Sequence, residues 1–256
     1  MIQEQDLLDE IQSFSPLAPS LLHLAEVIAS DDYTIAEVEQ IVRVDTALTI
    51  DTLRYANSVE NVGRSRVATV QDAIVRLGGE RLFRYLYARW LVGIADKPLR
   101  SYGLDANYFW VHGITVAMAY EALAKARDID SYLAFTSGLL HDIGKITLNN
   151  LAEKFKISME IELNSNDFAL MNMEKEIFGI NHRQMGVTLM KKWGFPDELI
   201  ALANDDIMLD LAHEVTDALS YFESGVDISD FSPEVQKIAQ EVSEKRVGLL
   251  EVFGIT

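Results

Sequence analysis

Ser137-Gly138-Leu139-Leu140-His141-Asp142-Ile143-Gly144-Lys145 sets a histidine directly beside an aspartate at the end of an apolar run. The glycine two residues further on is of the kind that closes a helix. A neutral imidazole and a carboxylate both ligate divalent cations, and adjacent residues at a helix end can converge on one ion. Among five histidines in an acid-rich chain, one such pair is a weak signal. Its weight depends on what precedes and follows it.

The chain around it is 256 residues long and 49% hydrophobic, enough for one large domain or two small ones. It has no low-complexity tract and no internal repeat. Uninterrupted apolar stretches such as Leu91 to Ala95 are far too short to span a bilayer, which predicts no membrane segment. The opening residues, Met1 to Asp6, carry acids where a secretory signal carries bases, which predicts a cytoplasmic protein. The absence of cysteine excludes disulfides, thiolate ligands and thiol nucleophiles together, so any metal must be held by nitrogen and oxygen. A net charge of −18 repels phosphate backbones at long range and argues against general nucleic-acid binding. Basic residues gather between Arg54 and Arg100, nine against four acids, and this reads as a solvated face.

Helical spacing of apolar residues dominates and strict alternation is missing, so the fold class is all-α. Thr34-Ile35-Ala36-Glu37 has capping-box spacing, Asp45 caps the next helix, and Thr69-Val70-Gln71-Asp72 opens another that ends at Gly78-Gly79. Two breaks are expected, at Ser15-Pro16-Leu17-Ala18-Pro19 and at Asn164-Ser165-Asn166-Asp167. The cluster Asp96-Lys97-Pro98 to Gly103 marks a boundary between an N-terminal half, 1–96, and a second half, 97–256. In the second half Asp105 caps a helix through His112 whose alanine-rich face allows close packing. Asp130 caps the helix that delivers His141 and Asp142. From Thr147 to Phe178 the pattern is less regular. Helices then start at Asn181 or His182, at Pro196-Asp197, near Leu211 and at Ser232-Pro233.

Helices of a bundle can aim His112, His141, Asp142 and Asp217 at one point, a mixed nitrogen and oxygen set suited to Fe, Mn, Ni, Zn or Mg. Asp142 can bridge two ions. His182, at a helix start, either joins these ligands or caps and packs. Lys145 either reaches a bound phosphate or rests as a cation near a helix C-terminus. His213 reads as peripheral, and Trp110, Trp193 and Phe195 as core.

These residues carry a family resemblance. Trp110-Val111-His112, Gly138-Leu139-Leu140-His141-Asp142-Ile143-Gly144 and Asp217-Ala218-Leu219 resemble the His, His-Asp and Asp elements of the HD metal-dependent phosphohydrolase superfamily. Leu53-Arg54-Tyr55-Ala56-Asn57-Ser58, Ala73 to Gly78, Phe178-Gly179-Ile180-Asn181-His182 and Trp193-Gly194-Phe195-Pro196 are similar to blocks of its HDOD subfamily, in the same order, between about Phe14 and Phe222. The resemblance implies an N-terminal helical bundle packed on an HD-like helical half. It also implies a bacterial signal-transduction role.

One departure bears on activity. Related HD-GYP phosphodiesterases, which cleave cyclic di-GMP, carry a His-His pair after the block resembling Phe195-Pro196. Here Asn204-Asp205-Asp206 stands near that position, so such an activity is not expected. Asp205 or Asp206 either supplies an oxygen ligand or is solvated. The favoured reading is a non-catalytic regulatory module that contacts a signalling protein or a small ligand, with homo-oligomer formation open. The alternative is a metal-dependent phosphohydrolase of a phosphomonoester or nucleotide, with Asp142 as proton acceptor and Lys145 as phosphate contact.

Overall fold

The computed structural model describes residues 2–13, 18–28, 30, 32–58, 66–94, 97–159, 167–253 and 255. The expected break at Ser15-Pro16-Leu17, the turn residues Asn164-Ser165-Asn166 and boundary residue Asp96 lie outside them. In chain order the helices are α1 (Glu4–Ser13), α2 (Pro19–Ile28), α3 (Ile35–Val44), α4 (Thr46–Ala56), α5 (Val70–Leu77) and α6 (Gly79–Ile94). A short 3-10 turn, Arg100–Tyr102, leads into α7 (Ala106–Ala126), α8 (Ser131–Leu140), α9 (Ile143–Phe155) and α10 (Asp167–Phe178). The chain closes with α11 (His182–Lys192), α12 (Asp197–Ala203), α13 (Asp206–Glu223) and α14 (Pro233–Phe253). No strand occurs among the described residues, and the fold is all-α. No described helix is long and apolar enough to cross a membrane.

The chain forms two compact units. One comprises residues 16–94 with 247–256, the other residues 1–15 with 95–246. The first helix groups with the second unit because it packs on α9, where Asn150 Nδ2 donates to Glu10 at 2.9 Å.

In the 16–94 unit the caps form where the side chains dictate. Thr34 accepts from Glu37 N while the Glu37 carboxylate accepts from Thr34 N at 2.7 Å, a reciprocal box that satisfies two otherwise orphaned donors. Asp45 accepts from Ala47 N and Leu48 N at the start of α4. Gly78, at φ +79°, takes the left-handed backbone that ends α5, and a side chain on Gly79 would collide with Tyr33 and Ile28. Leu21, Leu24, Val42, Ala56, Ala73 and Leu82 are fully buried, and Tyr55 stacks on Tyr85 with centroids 4.1 Å apart.

The unit holding His141 is organised by α7, which is buried along most of its length. Its alanine face admits α8 closely: a Cβ on Gly138 would lie 2.9 Å from Ala117 Cα. Ser137 Oγ donates to Leu199 O at 3.0 Å and ties α8 to α12.

Two expectations are corrected here. Within the stretch from Thr147 to Phe178, read as less regular, two helices are regular: α9 runs on to Phe155 and α10 occupies Asp167–Phe178. Gly144 does not stop a helix either; it lies in the first turn of α9, with Asp142 at the N-cap position. Its role is steric. A Cβ on Gly144 would overlap the His182 carbonyl and come within 2.8 Å of Gly186 N, so only glycine lets α9 touch the start of α11.

Candidate metal centre

Every group in the centre is delivered by a helix or a helix end of one unit. His112 comes from the middle of α7, His141 and Asp142 from the joint between α8 and α9, His182 from the first position of α11, and His213 from α13. His112, His141 and His213 offer ligand nitrogens that all lie within 4.8 Å of one another. Their rings surround a common point, with centroids 5.4 to 5.6 Å apart. Asp142 Oδ2 stands 3.3 Å from His141 Nε2 and 3.9 Å from His112 Nε2, and its Oδ1 stands 3.5 Å from His182 Nε2.

The tautomers of two imidazoles follow from their neighbours. His141 Nδ1 lies 2.7 Å from Gly138 O, and a carbonyl only accepts, so Nδ1 carries the proton. His182 Nδ1 lies 2.7 Å from Glu174 Oε2, an acceptor that also takes the His182 backbone N–H at 2.8 Å. In both rings the Nε2 lone pair therefore points away from its anchor and toward Asp142. Both Nε2 atoms are buried and have no hydrogen-bond partner. A buried acceptor left without a donor costs about 1–3 kcal/mol. A cation relieves that cost, and a carboxylate or carbonyl holding the far nitrogen is the usual support of a metal-bound histidine. The residues present fit a divalent ion with nitrogen and oxygen preference.

Charges agree with that fit. Burial pushes the His112 imidazole down to about 3 and His213 down to about 4. Both rings are neutral at physiological pH and keep a free lone pair. Burial alone would raise the Asp142 carboxyl, but the Lys145 ammonium beside it pulls the other way, and the group is held well below the usual carboxylate range. Lys145 Nζ sits 2.7 Å from Asp142 Oδ2. Burial disfavours its charge, yet Asp142 reverses the balance and raises its pKa.

Lys145 is therefore not a cation near a helix C-terminus; it lies in the first turn of α9, where the pairing with Asp142 offsets an unfavourable helix dipole. His213 is not peripheral. It lies on α13 one turn before Asp217, and its spacing in sequence does not separate it from the outer face of that helix. Asp217 lines the cleft beside His112 and His213, with its carboxyl raised by burial. Asp205 is committed to capping α13, accepting from Ile207 N and Met208 N, and Asp206 pairs with Arg183 at 2.5 Å. Trp110, Trp193 and Phe195 are buried core residues. Glu174 and Tyr102, whose hydroxyl donates to Glu174 Oε1 at 2.7 Å, carry no spacing signal that sequence reasoning could use.

The centre opens onto a cleft of about 440 Å³ whose lining includes His112, His213, Asp217, Tyr108, Thr115 and Arg246. A small ligand can thus reach His112 and His213 from solvent, while His141 and His182 stay behind them.

The HDOD domain model matches residues 15–206. The chain belongs to the HDOD family. Its relatives include an uncharacterized protein of Treponema pallidum (strain Nichols), 24% identical over 195 residues, or 75% of this chain. The chain spans only 37% of that relative's length. Among solved structures, a Shewanella amazonensis SB2B protein provisionally named a phosphohydrolase is 22% identical with a TM-score of 0.66, covering 97% of both chains. A Marinobacter aquaeolei VT8 protein provisionally named a signal transduction protein is 22% identical with a TM-score of 0.71, covering 98% of this chain and 65% of that one. At these identities the likeness is one of fold. The HDOD match ends at residue 206, so His213, Asp217 and Arg246 lie on segments beyond it.

Proposed function

We propose that this chain is a regulatory HDOD module that binds a divalent metal ion through His112, His141, Asp142 and His213 and presents it to a phosphate-bearing small ligand in the cleft. The observation that carries this reading is the buried, unpartnered Nε2 of His141, fixed in its tautomer by Gly138 O and facing both Asp142 and the other two imidazoles. An ion held there supplies Lewis acidity toward a phosphoryl oxygen and acidifies a bound water. The residues themselves do three things. His112 and His213 form the wall between the buried ligands and the cleft. Lys145 holds Asp142 ionised and immobile. Asp142, kept so far below the ordinary carboxylate range, is suited to bind a cation and is a poor proton acceptor near neutral pH.

A second reading, hydrolysis of a phosphomonoester or nucleotide, is favoured by one feature. Asp217 lies in the cleft with a carboxyl raised by burial, which suits proton transfer better than Asp142 does. Metal content by mass spectrometry of chain purified without chelator tests both readings, joined to a phosphoester and nucleotide screen with added Mn or Ni. Bound metal that disappears in His141→Ala and Asp142→Ala is expected. Protein that takes up neither ion overturns the proposal, and turnover lost in those variants and in Asp217→Asn moves the balance to the hydrolase.

A further inference from the structure

We infer that the cleft selects a ligand with one phosphoryl group on a hydroxylated carbon skeleton, a sugar or polyol monophosphate, and that Arg246 and Glu223 read the skeleton. The inference rests on the proposed function for the phosphoryl end alone, which meets the ion behind His112 and His213.

A phosphate ion does not fill this space. At about 440 Å³ the cleft falls in the range of roughly 300–1,000 Å³ that holds whole organic molecules. One wall belongs to α13, where Thr216, Asp217, Ser220, Glu223 and Ser224 follow His213 at intervals of three and four and so share one stripe of the helix. Each of these side chains is a hydroxyl or a carboxylate. On α7, Tyr108 lies one turn before His112 with 63% of its surface exposed, and Val111 is the one aliphatic side chain among the described lining residues. A flat base needs apolar cover, which one ring and one valine supply poorly. A sugar or polyol carries a hydroxyl on each carbon, able both to donate and to accept, and so matches a wall of hydroxyls and carboxylates. Its C–H face suits the open ring of Tyr108.

The end of the cleft is set by α14. Arg246 Nη2 donates to Glu223 Oε2 at 2.6 Å, while Nη1 stands 3.5 Å from Thr115 Oγ1, whose own proton goes to Val111 O at 2.6 Å. A contact at 3.5 Å is weak, so Nη1 keeps donor capacity. Glu223 Oε1 accepts from Ser243 Oγ at 3.3 Å, which leaves carboxylate lone pairs unspent. The pair therefore offers a donor and an acceptor side by side, the complement of two hydroxyls on neighbouring carbons. It also sorts ligands by charge. Arg246 is the one Lys or Arg among the described lining residues, and Glu223 already neutralises it. A second phosphoryl group would meet Glu223 and Asp217 with no unpaired cation to receive it.

The test is calorimetric titration of the full chain loaded with Mn. The probes are inorganic phosphate, the primary phosphate esters of glucose and sorbitol, adenosine monophosphate and fructose bisphosphate. At least one of the two esters is expected to bind about tenfold or more tightly than inorganic phosphate, adenosine monophosphate or the bisphosphate. Glu223→Gln should narrow that preference and strengthen bisphosphate binding, a gain that a damaged fold does not produce. Arg246→Gln should narrow the preference without the gain. Mn-loaded chain that binds inorganic phosphate as tightly as both esters, or adenosine monophosphate more tightly, would overturn the inference while leaving the proposed function intact. Bisphosphate binding unmoved by Glu223→Gln would remove Glu223 as the reader of charge. A chain that takes up no Mn, or that binds none of the probes, would defeat the proposed function and the inference with it.

Discussion

Glu174 has no exposed surface and receives three donors, two of them from His182, so the geometry of that imidazole depends on a carboxylate that need not touch an ion. Replacing it with glutamine swaps an acceptor for an amide that cannot accept on both oxygen positions. Glu174→Gln is expected to weaken Mn binding about 10–100-fold with little loss of helix content, measured by calorimetric titration and circular dichroism. The histidines make a separate prediction. His112 and His213 titrate at about 3 and about 4 in the metal-free fold, against an ordinary value of 6.5. As pH falls below that value the unfolded chain takes up these protons before the folded one does. The stability they contribute is complete above about pH 6.5 and is lost as pH drops toward about 4 for His213 and about 3 for His112. Urea unfolding in chelator at several pH values should therefore show an acid-side decline, and His213→Gln should flatten it. An unchanged slope would place the lost protons elsewhere.

At the scale of helices, Gly144 has the largest predicted effect for the smallest change. The overlap of an added Cβ is with backbone, the His182 carbonyl, which cannot rotate aside. Gly144→Ala should therefore separate α9 from α11, cost about 1–3 kcal/mol in denaturant unfolding, and weaken metal binding through His182. A control, Gly113→Ala, meets only Leu139 atoms at 3.9 Å or beyond and should be mild. This residue also shows how legible the chain was. Caps at Thr34, Asp45, Thr69, Asp105 and Asn181 are local chemistry, and each forms where its side chain predicts. Gly144 has two readings in sequence, stop or close approach, and only the packing of a helix some forty residues later decides between them. The same distance hid His213, which reads as peripheral and acquires its place only when α13 is packed. The His-Asp pair and His112 were legible because their spacing follows one helix and the next.

For the molecule as a whole, the net charge of −18 acts on every ion that approaches the centre. Divalent cations are drawn in and phosphate-bearing ligands are held off at long range. Raising salt shortens the screening length from about 30 Å at 0.01 M to about 8 Å at 0.15 M. Stopped-flow association should then slow for Mn and quicken for an anionic ligand, opposite signs from one field. Equal responses would mean that local groups such as Arg246 and Lys145 dominate. The buried phenol of Tyr102 has a consequence of another kind. Burial and the adjacent Glu174 hold it well above its ordinary range, and burial does the same for Tyr87 and Tyr120, with Tyr85 pushed up to about 12. In an alkaline ultraviolet titration these rings withhold their tyrosinate absorbance until the fold opens. Tyr102 alone among them answers to Glu174, so an earlier rise in that band in Glu174→Gln would make the support of His182 visible without any metal present.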